Sequence, residues 1–545
     1  MKIKNHQSKI KNLPMTRFYK RFTYEELTDY LKEIERKHPG HVRLESIGQT
    51  EGGRQIWLCC LGNKQIPDER KTGFLITANI HSPELSGCSS ALCFMEYLLT
   101  HQADHRQLLD EVVFYVVPRV NPDGAEDFIN SRRDNRSKRT MLDRPNGFVT
   151  DDEDGNGLVL QMRWPDKNGK WKEHPKDPRL MIERKPEDAD GKYYEVAMEG
   201  HFENWDGKTR DVSRPGCRNA DFNRNWPANW HPSEWDDKSF GDYPLSFIET
   251  KSLADFIFRQ RNIFASFSIH NGTFALFRVP GYKKPEDFPA SDMRMIDELA
   301  KEGEKLTGFP AMSSRQYCVK SLFPHLLPGL FPDWAYEYQG LLTFEIEVGW
   351  GYMSAGVTTE GVFADRPDRM GYLKYKLVEY QNKGGHTIFH PWKAFRHPQL
   401  GEIEIGGESH FDLLQIGPNL YPQIVESVRK MVLYMADLRP RITIELKKNT
   451  VSDDLRSIVA TVRNEGYLGT QITEQYRKFF PHKKPVCHAI ADKGLELVEG
   501  LPIEETNHIP GRNHLEKCYL VRGRGEFRFA FESDKIGKYE ARVTI

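Results

Sequence analysis

The chain has 545 residues, which is too long for one hydrophobic core and predicts two to four domains. Its 77 lysines and arginines balance 78 aspartates and glutamates, so the sequence carries no basic field that would favour nucleic acid or an anionic membrane as a partner. No run of about 18 apolar residues is present, which excludes a transmembrane helix.

The N-terminal segment is polar and lacks the apolar core of a signal peptide. We therefore expect residues 1–15 to form a tail, the fold to begin near Thr16, and the written chain to be cytoplasmic by default. The 8 cysteines are scattered without a Cys-x-x-Cys pair, so they indicate buried free thiols rather than a metal cluster or a redox motif.

Helix-like and strand-like segments alternate along the first part of the chain. In chain order they are a helix at 23–37, strands at 54–60 and 73–80, a helix at 87–99, a strand at 112–118, a helix at 244–259, and strands at 263–269 and 341–348. This alternation predicts an α/β/α sandwich with a mixed, largely buried sheet. Ligands in that architecture bind at the carboxyl ends of the strands.

Two stretches depart from the alternation. Residues 137–216 are polar and rich in Gly, Pro and Asp, which predicts a surface insertion that could form a lid or rim. From Arg441 to the end of the chain, short β-rich runs are separated by turn residues. This pattern predicts an immunoglobulin-like β-sandwich over residues 441–545.

Two apolar strands end in histidine. The first runs into His81-Ser-Pro-Glu84, and imidazole with carboxylate is a ligand mixture that suits Zn2+. The second ends at His270 and is followed by the turn sequence Asn-Gly-Thr. His81, Glu84 and His270 are therefore the candidate zinc ligands.

Other charged residues stand where a reaction could use them. The segment 217–226 contains Asn223 and Arg224, and an arginine among amides suits bidentate binding of a carboxylate. Glu345 and Glu347 lie on one face of an otherwise apolar strand, where an acid is costly unless it has a function.

The predicted insertion contains an acidic turn. Asp152, Asp154 and Asn156 fit the opening half of a calcium loop, but the twelfth position is Arg163 instead of glutamate. A solvated acidic turn is the favoured interpretation, and a Ca2+ site is the alternative.

The motifs occur in the order found in one enzyme family. They are His81-x-x-Glu84, Asn121-Pro-Asp-Gly124, Arg133-Asp-Asn-Arg136, Asn223-Arg224, Ser268-Ile-His270, Asp333-Trp334 and the acidic strand. Over residues 16–438 the chain resembles the zinc metallocarboxypeptidases of the carboxypeptidase A type. The resemblance implies a carboxypeptidase-like catalytic domain over 16–438, one bound Zn2+, and peptide or protein C-termini as substrates. Members of the family are often secreted, which conflicts with the cytoplasmic expectation.

The resemblance also implies roles for single residues. The three candidate ligands become the zinc ligands, and Arg133 becomes the catalytic group that polarises the scissile carbonyl and stabilises the oxyanion. Asn223 and Arg224 become the site for the substrate's C-terminal carboxylate. The family presents a mobile tyrosine where this chain has His325, which is therefore expected to donate a hydrogen bond to substrate; Tyr317 lies nearby.

The general base is either of two acids. The family's spacing, counted from Asp333, falls on Glu347, which we expect to be the catalytic base, and Glu345 is the alternative. Two other functions remain open. One is a zinc amidohydrolase acting on a non-peptide or cell-wall acyl amino acid. The other is an inactive peptidase-like binding protein, suggested by His325 in place of tyrosine. The oligomeric state is not predicted.

Overall fold

The protein is represented by a computed structural model that describes residues 18–133, 135–233, 239–321, 325–364, 366 and 368–545. The predicted tail, residues 1–15, and the predicted start at Thr16 lie outside these residues. Within them, no helix combines the length and the apolar character needed to cross a bilayer.

Strands and helices alternate in the first part of the chain and strands dominate the last part. The strands are β1 Val42–Gln49, β2 Gln55–Leu61, β3 Thr72–Ala78, β4 Val112–Val117, β5 Lys138–Met141, β6 Gly147–Thr150, β7 Gln161–Pro165, β8 Trp171–His174, β9 Asp177–Glu183, β10 Tyr194–Met198, β11 Gly200–Glu203, β12 Cys217–Ala220, β13 Ile263–His270, β14 Ala275–Arg278, β15 Ala311–Ser313, β16 Leu342–Glu347, β17 Phe389–His397, β18 Gly401–Glu408, β19 Ile442–Thr450, β20 Leu455–Asn464, β21 Val486–Ala491, β22 Leu495–Glu499, β23 Ile503–Glu505, β24 Asn513–Gly523, β25 Glu526–Ser533 and β26 Gly537–Thr544. The helices are α1 Tyr24–Lys37, α2 Leu85–Thr100, α3 Arg106–Glu111, α4 Pro122–Ser131, α5 Ile248–Arg259, α6 Ala290–Thr307, α7 Ser314–Ser321, α8 Phe331–Glu337, α9 Gly351–Ser354, α10 Thr359–Phe363, α11 Arg369–Asn382, α12 His410–Leu413, α13 Tyr421–Asp437 and α14 Glu474–Phe479.

The central sheet has 8 strands in the order β1-β2-β4-β3-β13-β16-β14-β15. Strands β4, β3, β13 and β16 run parallel to one another, whereas the pairs β1–β2, β2–β4 and β14–β16 are antiparallel. Parallel strands are buried on both faces, and every residue of β3 and β13 is buried accordingly. The predicted mixed, largely buried sheet is confirmed.

Helices cover both faces of this sheet. Phe74 and Ile76 of β3 belong to a core shared with α1, α2, α6 and α13. The intervening Leu75 belongs to a second core, shared with α5 and α8. Because successive side chains of a strand point to opposite faces, this division places one helical layer on each side of the sheet. The α/β/α layering predicted from the sequence is confirmed.

The segment predicted as a surface insertion folds together with a distant part of the chain. Its strands β7 to β10 join β17 and β18 in a 6-stranded sheet of order β17-β18-β7-β10-β8-β9. Met162 and Trp164 of β7 share a core with Ile403 and Ile405 of β18. Part of residues 137–216 thus shares a sheet and a core with β17 and β18, and the surface insertion that could form a lid or rim stays a prediction.

The C-terminal region contains two 4-stranded antiparallel sheets, β19-β20-β24-β22 and β23-β21-β25-β26. Side chains from both sheets, such as Ile458 and Val521 from one and Cys487 and Phe529 from the other, form a common core. The predicted β-rich domain is confirmed, whereas its immunoglobulin-like character stays a prediction.

The C-terminal domain packs against the central sheet near the start of β16. Thr473 Oγ1 donates a hydrogen bond of 2.8 Å to the carbonyl oxygen of Gly340. Gly340 has a φ of +62°, and a Cβ added there would lie 2.4 Å from Cβ of Tyr476. Only glycine accommodates both the backbone conformation and this close contact.

Lys535 lies in the same interface and is 5% exposed. Its Nζ donates a hydrogen bond of 3.1 Å to the carbonyl oxygen of Ile263, the first residue of β13, and lies 4.9 Å from the ring centroid of Tyr476. Burial lowers the pKa of Lys535 to about 7, although the negative charge of Asp534 opposes the shift.

We expect the stability of the protein to depend on pH through Lys535. Between pH 7 and the unfolded-state pKa of about 10.4, the unfolded chain binds the proton that the folded protein has lost, so the free energy of unfolding rises with pH. The variant Lys535→Met lacks this dependence. We expect the free energy of unfolding of this variant, measured by urea unfolding and compared with that of wild type, to be lower by about 2 kcal/mol more at pH 9 than at pH 7. The slope of the wild-type dependence is about 1.4 kcal/mol per pH unit.

Lys538→Met is the matched control, because Lys538 is exposed on β26. The difference between this variant and wild type should be the same at both pH values. Equal differences at both pH values for Lys535→Met would contradict the prediction.

Candidate metal centre and substrate pocket

Three adjacent parallel strands place polar side chains at one edge of the central sheet. His81 follows β3, His270 is the last residue of β13, and Glu347 is the last residue of β16. The registers match, since Ala78 pairs with Ile269 and His270 pairs with Glu347. The register of the strands therefore fixes the positions of the three side chains relative to one another along the strand direction.

The three candidate ligands converge on one point. His81 Nδ1 lies 2.7 Å from Glu84 Oε1 and 3.3 Å from His270 Nδ1, and His270 Nδ1 lies 3.0 Å from Glu84 Oε2. Four ligands arranged tetrahedrally about 2.0–2.2 Å from Zn2+ would be separated by about 3.3–3.6 Å, so only small movements are needed. Glu84 Oε2 is buried and, apart from its contact with His270 Nδ1, has no polar partner among the described residues, which leaves lone pairs for a metal.

The other nitrogen of each histidine faces a carboxylate. His81 Nε2 lies 3.0 Å from Asp221 Oδ1, and His270 Nε2 lies 3.3 Å from Glu345 Oε2. A carboxylate in this position holds the proton on Nε2 and directs Nδ1 to the metal. Burial alone would raise the pKa of Asp221, but Arg224, Arg136 and His81 together hold it well below its ordinary value. Asp221 was not predicted from the sequence, although its position two residues before Asn223 was an available signal.

The acids around His270 make the site attractive to a cation. Burial by itself would lower the pKa of His270, but Glu345, Glu84 and Glu347 raise it to about 10. The three buried acids therefore stabilise a positive charge at His270. One Zn2+ bound by the two Nδ1 atoms and Glu84 would satisfy the same acids, so the residues fit the metal.

The two acids of β16 have different surroundings. Glu345 Oε2 lies near His270 and 3.5 Å from Asn223 Nδ2, which donates to it. Glu347 Oε2 has no hydrogen-bond partner among the described residues, and a Cβ added to Gly272 would lie 2.2 Å from it. Burial, reinforced by Glu84 and Glu345, raises the pKa of Glu347. Glu347 is therefore the acid with an uncommitted oxygen beside the metal ligands.

A cavity of about 330 Å³ opens at this edge of the sheet. It is lined by His81, Asn223, Arg224, Glu345 and Glu347 on its polar side, and by Phe277, Leu327 and Leu330 on its apolar side. Arg224 Nη1 donates to the carbonyl oxygen of Asn223, and no carboxylate in the described part of the chain forms an ion pair with its guanidinium. Asn223 and Arg224 are thus brought to the candidate metal centre.

Arg133 is not brought to the metal centre. It forms an ion pair with Asp151, at 2.6 Å from Nη2, and lines a separate cavity. Arg136 lies in its place: its Nε is 3.2 Å from Asp221 Oδ2 and its Nη1 is 3.4 Å from Glu84 Oε1. In this structure Arg136, and not Arg133, contacts the candidate metal centre, and the catalytic role of Arg133 stays a prediction.

His325 also lies away from the cavity. It is exposed and is not among the described residues that line the cavity, whereas Tyr317 of α7 is among them. Burial and the charge of Glu347 raise the pKa of Tyr317, and a hydrogen bond with Thr273 opposes the shift. The structure thus places a tyrosine in the cavity, from a helix preceding the expected position.

The carboxylates of the acidic turn accept hydrogen bonds from the backbone of the same loop. Asp152, Asp154 and Glu199 lie together, but the oxygens of Asp152 accept hydrogen bonds from the backbone N–H groups of Asn156 and Gly157. Glu199 accepts three more from the same loop and from Leu160. The prediction of Ca2+ at Asp152, Asp154 and Asn156 finds no support, and the solvated turn is the better description.

Comparison with known families assigns two regions of the chain. The sequence model of the zinc carboxypeptidase family matches residues 27–353, and that of a domain family of unknown function matches residues 442–544. The first match includes the metal centre and the strand that carries Glu347. The second match corresponds to the C-terminal pair of sheets.

Curated relatives match over shorter stretches. Carboxypeptidase A6 of Homo sapiens is 22% identical over 326 residues, covering 57% of this chain and 56% of that protein. A zinc carboxypeptidase of Saccharothrix mutabilis subsp. capreolus is 29% identical over 106 residues, 19% of this chain and 24% of that protein. Carboxypeptidase A2 of Rattus norvegicus is 32% identical over 150 residues, 26% of this chain and 34% of that protein. The chain spans less than two thirds of the length of each.

Solved structures give weaker matches. Bovine thrombin-activatable fibrinolysis inhibitor, in complex with tick carboxypeptidase inhibitor, has a TM-score of 0.39 and 15% identity, covering 68% of this chain and 99% of that chain. Carboxypeptidase A from Helicoverpa armigera has a TM-score of 0.40 and 15% identity, covering 67% of this chain and 74% of that chain.

Proposed function

Because the chain belongs to the zinc carboxypeptidase family, we propose that it hydrolyses the C-terminal bond of peptides or proteins in a zinc-dependent reaction. One observation carries the proposal. The cavity is lined by His81, whose ligand atom converges with those of Glu84 and His270, and also by Arg224, which lowers the pKa of Asp221 but forms no direct ion pair with a carboxylate among the described residues. A free C-terminal carboxylate is the group that such a cation binds.

The proposed chemistry uses the metal ligands and Glu347. A Zn2+ ion held by His81, Glu84 and His270 would supply Lewis-acid polarisation of the scissile carbonyl and a lowered pKa for the attacking water. Glu347 takes the proton from that water with its uncommitted Oε2 and then donates it to the leaving amine. Glu345 is less suited to this role because its Oε2 already faces His270 and Asn223.

Other residues bind and orient the substrate. Arg136 is the cation beside the metal ligands, and we assign it the stabilisation of the oxyanion that the sequence analysis assigned to Arg133. Asn223 and Arg224 bind the terminal carboxylate. Tyr317 lines the cavity and is the hydroxyl donor that we propose in place of His325.

The role of Arg224 gives a direct test. The variant Arg224→Met should lower kcat/KM about 100-fold for an N-acylated peptide with a free C-terminus, because it loses charge-assisted hydrogen bonds of about 1.5–3 kcal/mol. Wild type should discriminate strongly against the same peptide with a C-terminal amide. The variant should have lost most of this discrimination, as measured by steady-state kinetics with both peptides.

Arg214→Met is the matched control, since it removes the same charge from an exposed position. Its kinetics should equal those of wild type. Equal turnover of free and amidated peptides by wild type would contradict the carboxypeptidase proposal and favour the amidohydrolase alternative.

A further inference from the structure

A second cavity, of about 520 Å³, lies apart from the metal centre. Residues of the turn between β1 and β2, of α4, of the segment that leads into β5 and of α5 line it. None of these residues lines the cavity at the metal centre. Its acidic side chains are Glu51, Asp123, Asp127 and Glu249.

Glu249 is a buried acid whose charge is not balanced by a cation. It lies in the first turn of α5 and is 5% exposed. Within the described part of the chain its carboxylate forms no ion pair, and its own backbone N–H is the group that donates to it. Burial raises the pKa of Glu249 to about 7, and the charge of Asp123 adds to the shift. A buried carboxylate is costly without a partner, so its presence here indicates a ligand.

Asn135 contributes a second acceptor to the same cavity. It is 2% exposed, and its Nδ2 donates a hydrogen bond of 2.8 Å to Asp127 Oδ2. This bond determines the orientation of the amide and leaves Oδ1, which has no hydrogen-bond partner among the residues that the structure describes. Both Glu249 and Asn135 Oδ1 therefore require a donor, and the carboxylate requires one with positive charge.

The cations around the cavity are engaged elsewhere. Their partners are Glu51 for Lys138 at 2.6 Å, Asp151 for Arg133 at 2.6 Å, Asp123 for Arg54 at 2.8 Å, and the carbonyl oxygen of Thr150 for Arg139 at 3.4 Å. None of these contacts involves Glu249. A cationic ligand would supply the charge that these side chains do not.

The spacing of the acids does not suit a metal ion. Among the described residues of this cavity, no three acids offer oxygens that lie within 4.8 Å of one another. Ligands around a zinc ion are separated by about 3.3–3.6 Å. A guanidinium group is larger, and its five N–H donors lie in a planar fork that reaches acceptors farther apart.

We propose that this cavity binds the guanidinium group of a small organic cation, with Glu249 as its charge partner and Asn135 Oδ1 as a second acceptor. Binding at this position requires neither zinc nor hydrolysis of a peptide. The inference therefore goes beyond the proposed function and does not depend on it.

Methylguanidinium and its neutral isostere methylurea test the site by isothermal titration calorimetry with the full chain. Wild type should bind methylguanidinium with a Kd below about 1 mM and methylurea at least about 10-fold more weakly, because charge-assisted hydrogen bonds are the stronger ones. The Kd for methylguanidinium should be the same with and without added zinc, since the two cavities share no residue.

Glu249→Gln keeps the size of the side chain and removes its charge. It should weaken methylguanidinium binding at least about 10-fold and leave methylurea binding unchanged. Its melting temperature should equal or exceed that of wild type, because an unbalanced buried charge is removed. Glu298→Gln makes the same change at an exposed position of α6 and should bind methylguanidinium as wild type does.

Asn135→Ala is the second variant and decides the question if Glu249→Gln does not fold. It should weaken methylguanidinium binding about 3- to 10-fold through the loss of one acceptor. Unchanged affinity in the folded variants, or equal affinities of wild type for methylguanidinium and methylurea, would overturn the proposal. Displacement of methylguanidinium by Mg2+ at constant ionic strength would also overturn it and indicate a metal site.

Discussion

Glu347→Gln is expected to lower kcat about a thousandfold while the protein keeps its zinc. The substitution preserves the size of a side chain in contact with Gly272 but removes the group that accepts the proton of water. General bases contribute about 10²- to 10⁴-fold to rates, and here the same group is assigned the return of the proton to the leaving amine. Single-turnover kinetics on protein with measured zinc content would give the value.

Glu345→Gln is the matched comparison, two residues away on the same strand. Glu345 faces His270 Nε2, so its loss should weaken zinc binding by about 10- to 100-fold, as partners of metal-bound histidines do. At saturating zinc the variant should keep most of its activity. If Glu345→Gln alone abolished hydrolysis at full zinc occupancy, Glu345 would be the base.

His270→Ala is expected to remove both zinc and activity. It deletes one of three ligands and leaves Glu84 Oε2 facing an empty space. Elemental analysis should find well under one zinc per chain, and hydrolysis should fall by more than about 10⁴-fold, since the Lewis acid is lost together with the positioned water.

Chelation provides the control for this variant. Wild type treated with a chelator should lose activity and recover it when zinc is returned, whereas His270→Ala should not recover. The exposed His514 can be replaced by alanine to show that loss of a histidine alone has no such effect. A metal-free wild type of undiminished activity would contradict the zinc assignment.

The metal ligands could be predicted from the sequence because local patterns determine their positions. Apolar strands of known length end at His81 and His270, and adjacent parallel strands bring their carboxyl ends together. In these cases the pattern of apolar residues along the strand also predicts where the functional side chain lies. The choice of Glu347 over Glu345 came instead from the resemblance, through the family's spacing from Asp333.

The remaining assignments depend on contacts that are distant in sequence. Arg136 contacts Asp221, which is 85 residues away in sequence, whereas Arg133 forms an ion pair with Asp151. The pairing of β7 with β18 joins residues such as Met162 and Ile405, and no local pattern in residues 137–216 predicts this pairing. Tyr317 lines the cavity because of the position of α7, and this position was not predicted from the sequence.

The contact between Gly340 and Tyr476 joins two regions that separate family models describe. Since Gly340 lies two residues before β16, the C-terminal domain supports the strand that ends in Glu347. A fragment that ends at residue 438 would expose the surface around Gly340 to solvent. A chimera with a different C-terminal domain would lack the side chains of Thr473 and Tyr476 that pack there. The domain of unknown function therefore packs against the start of the strand whose last residue is the candidate base.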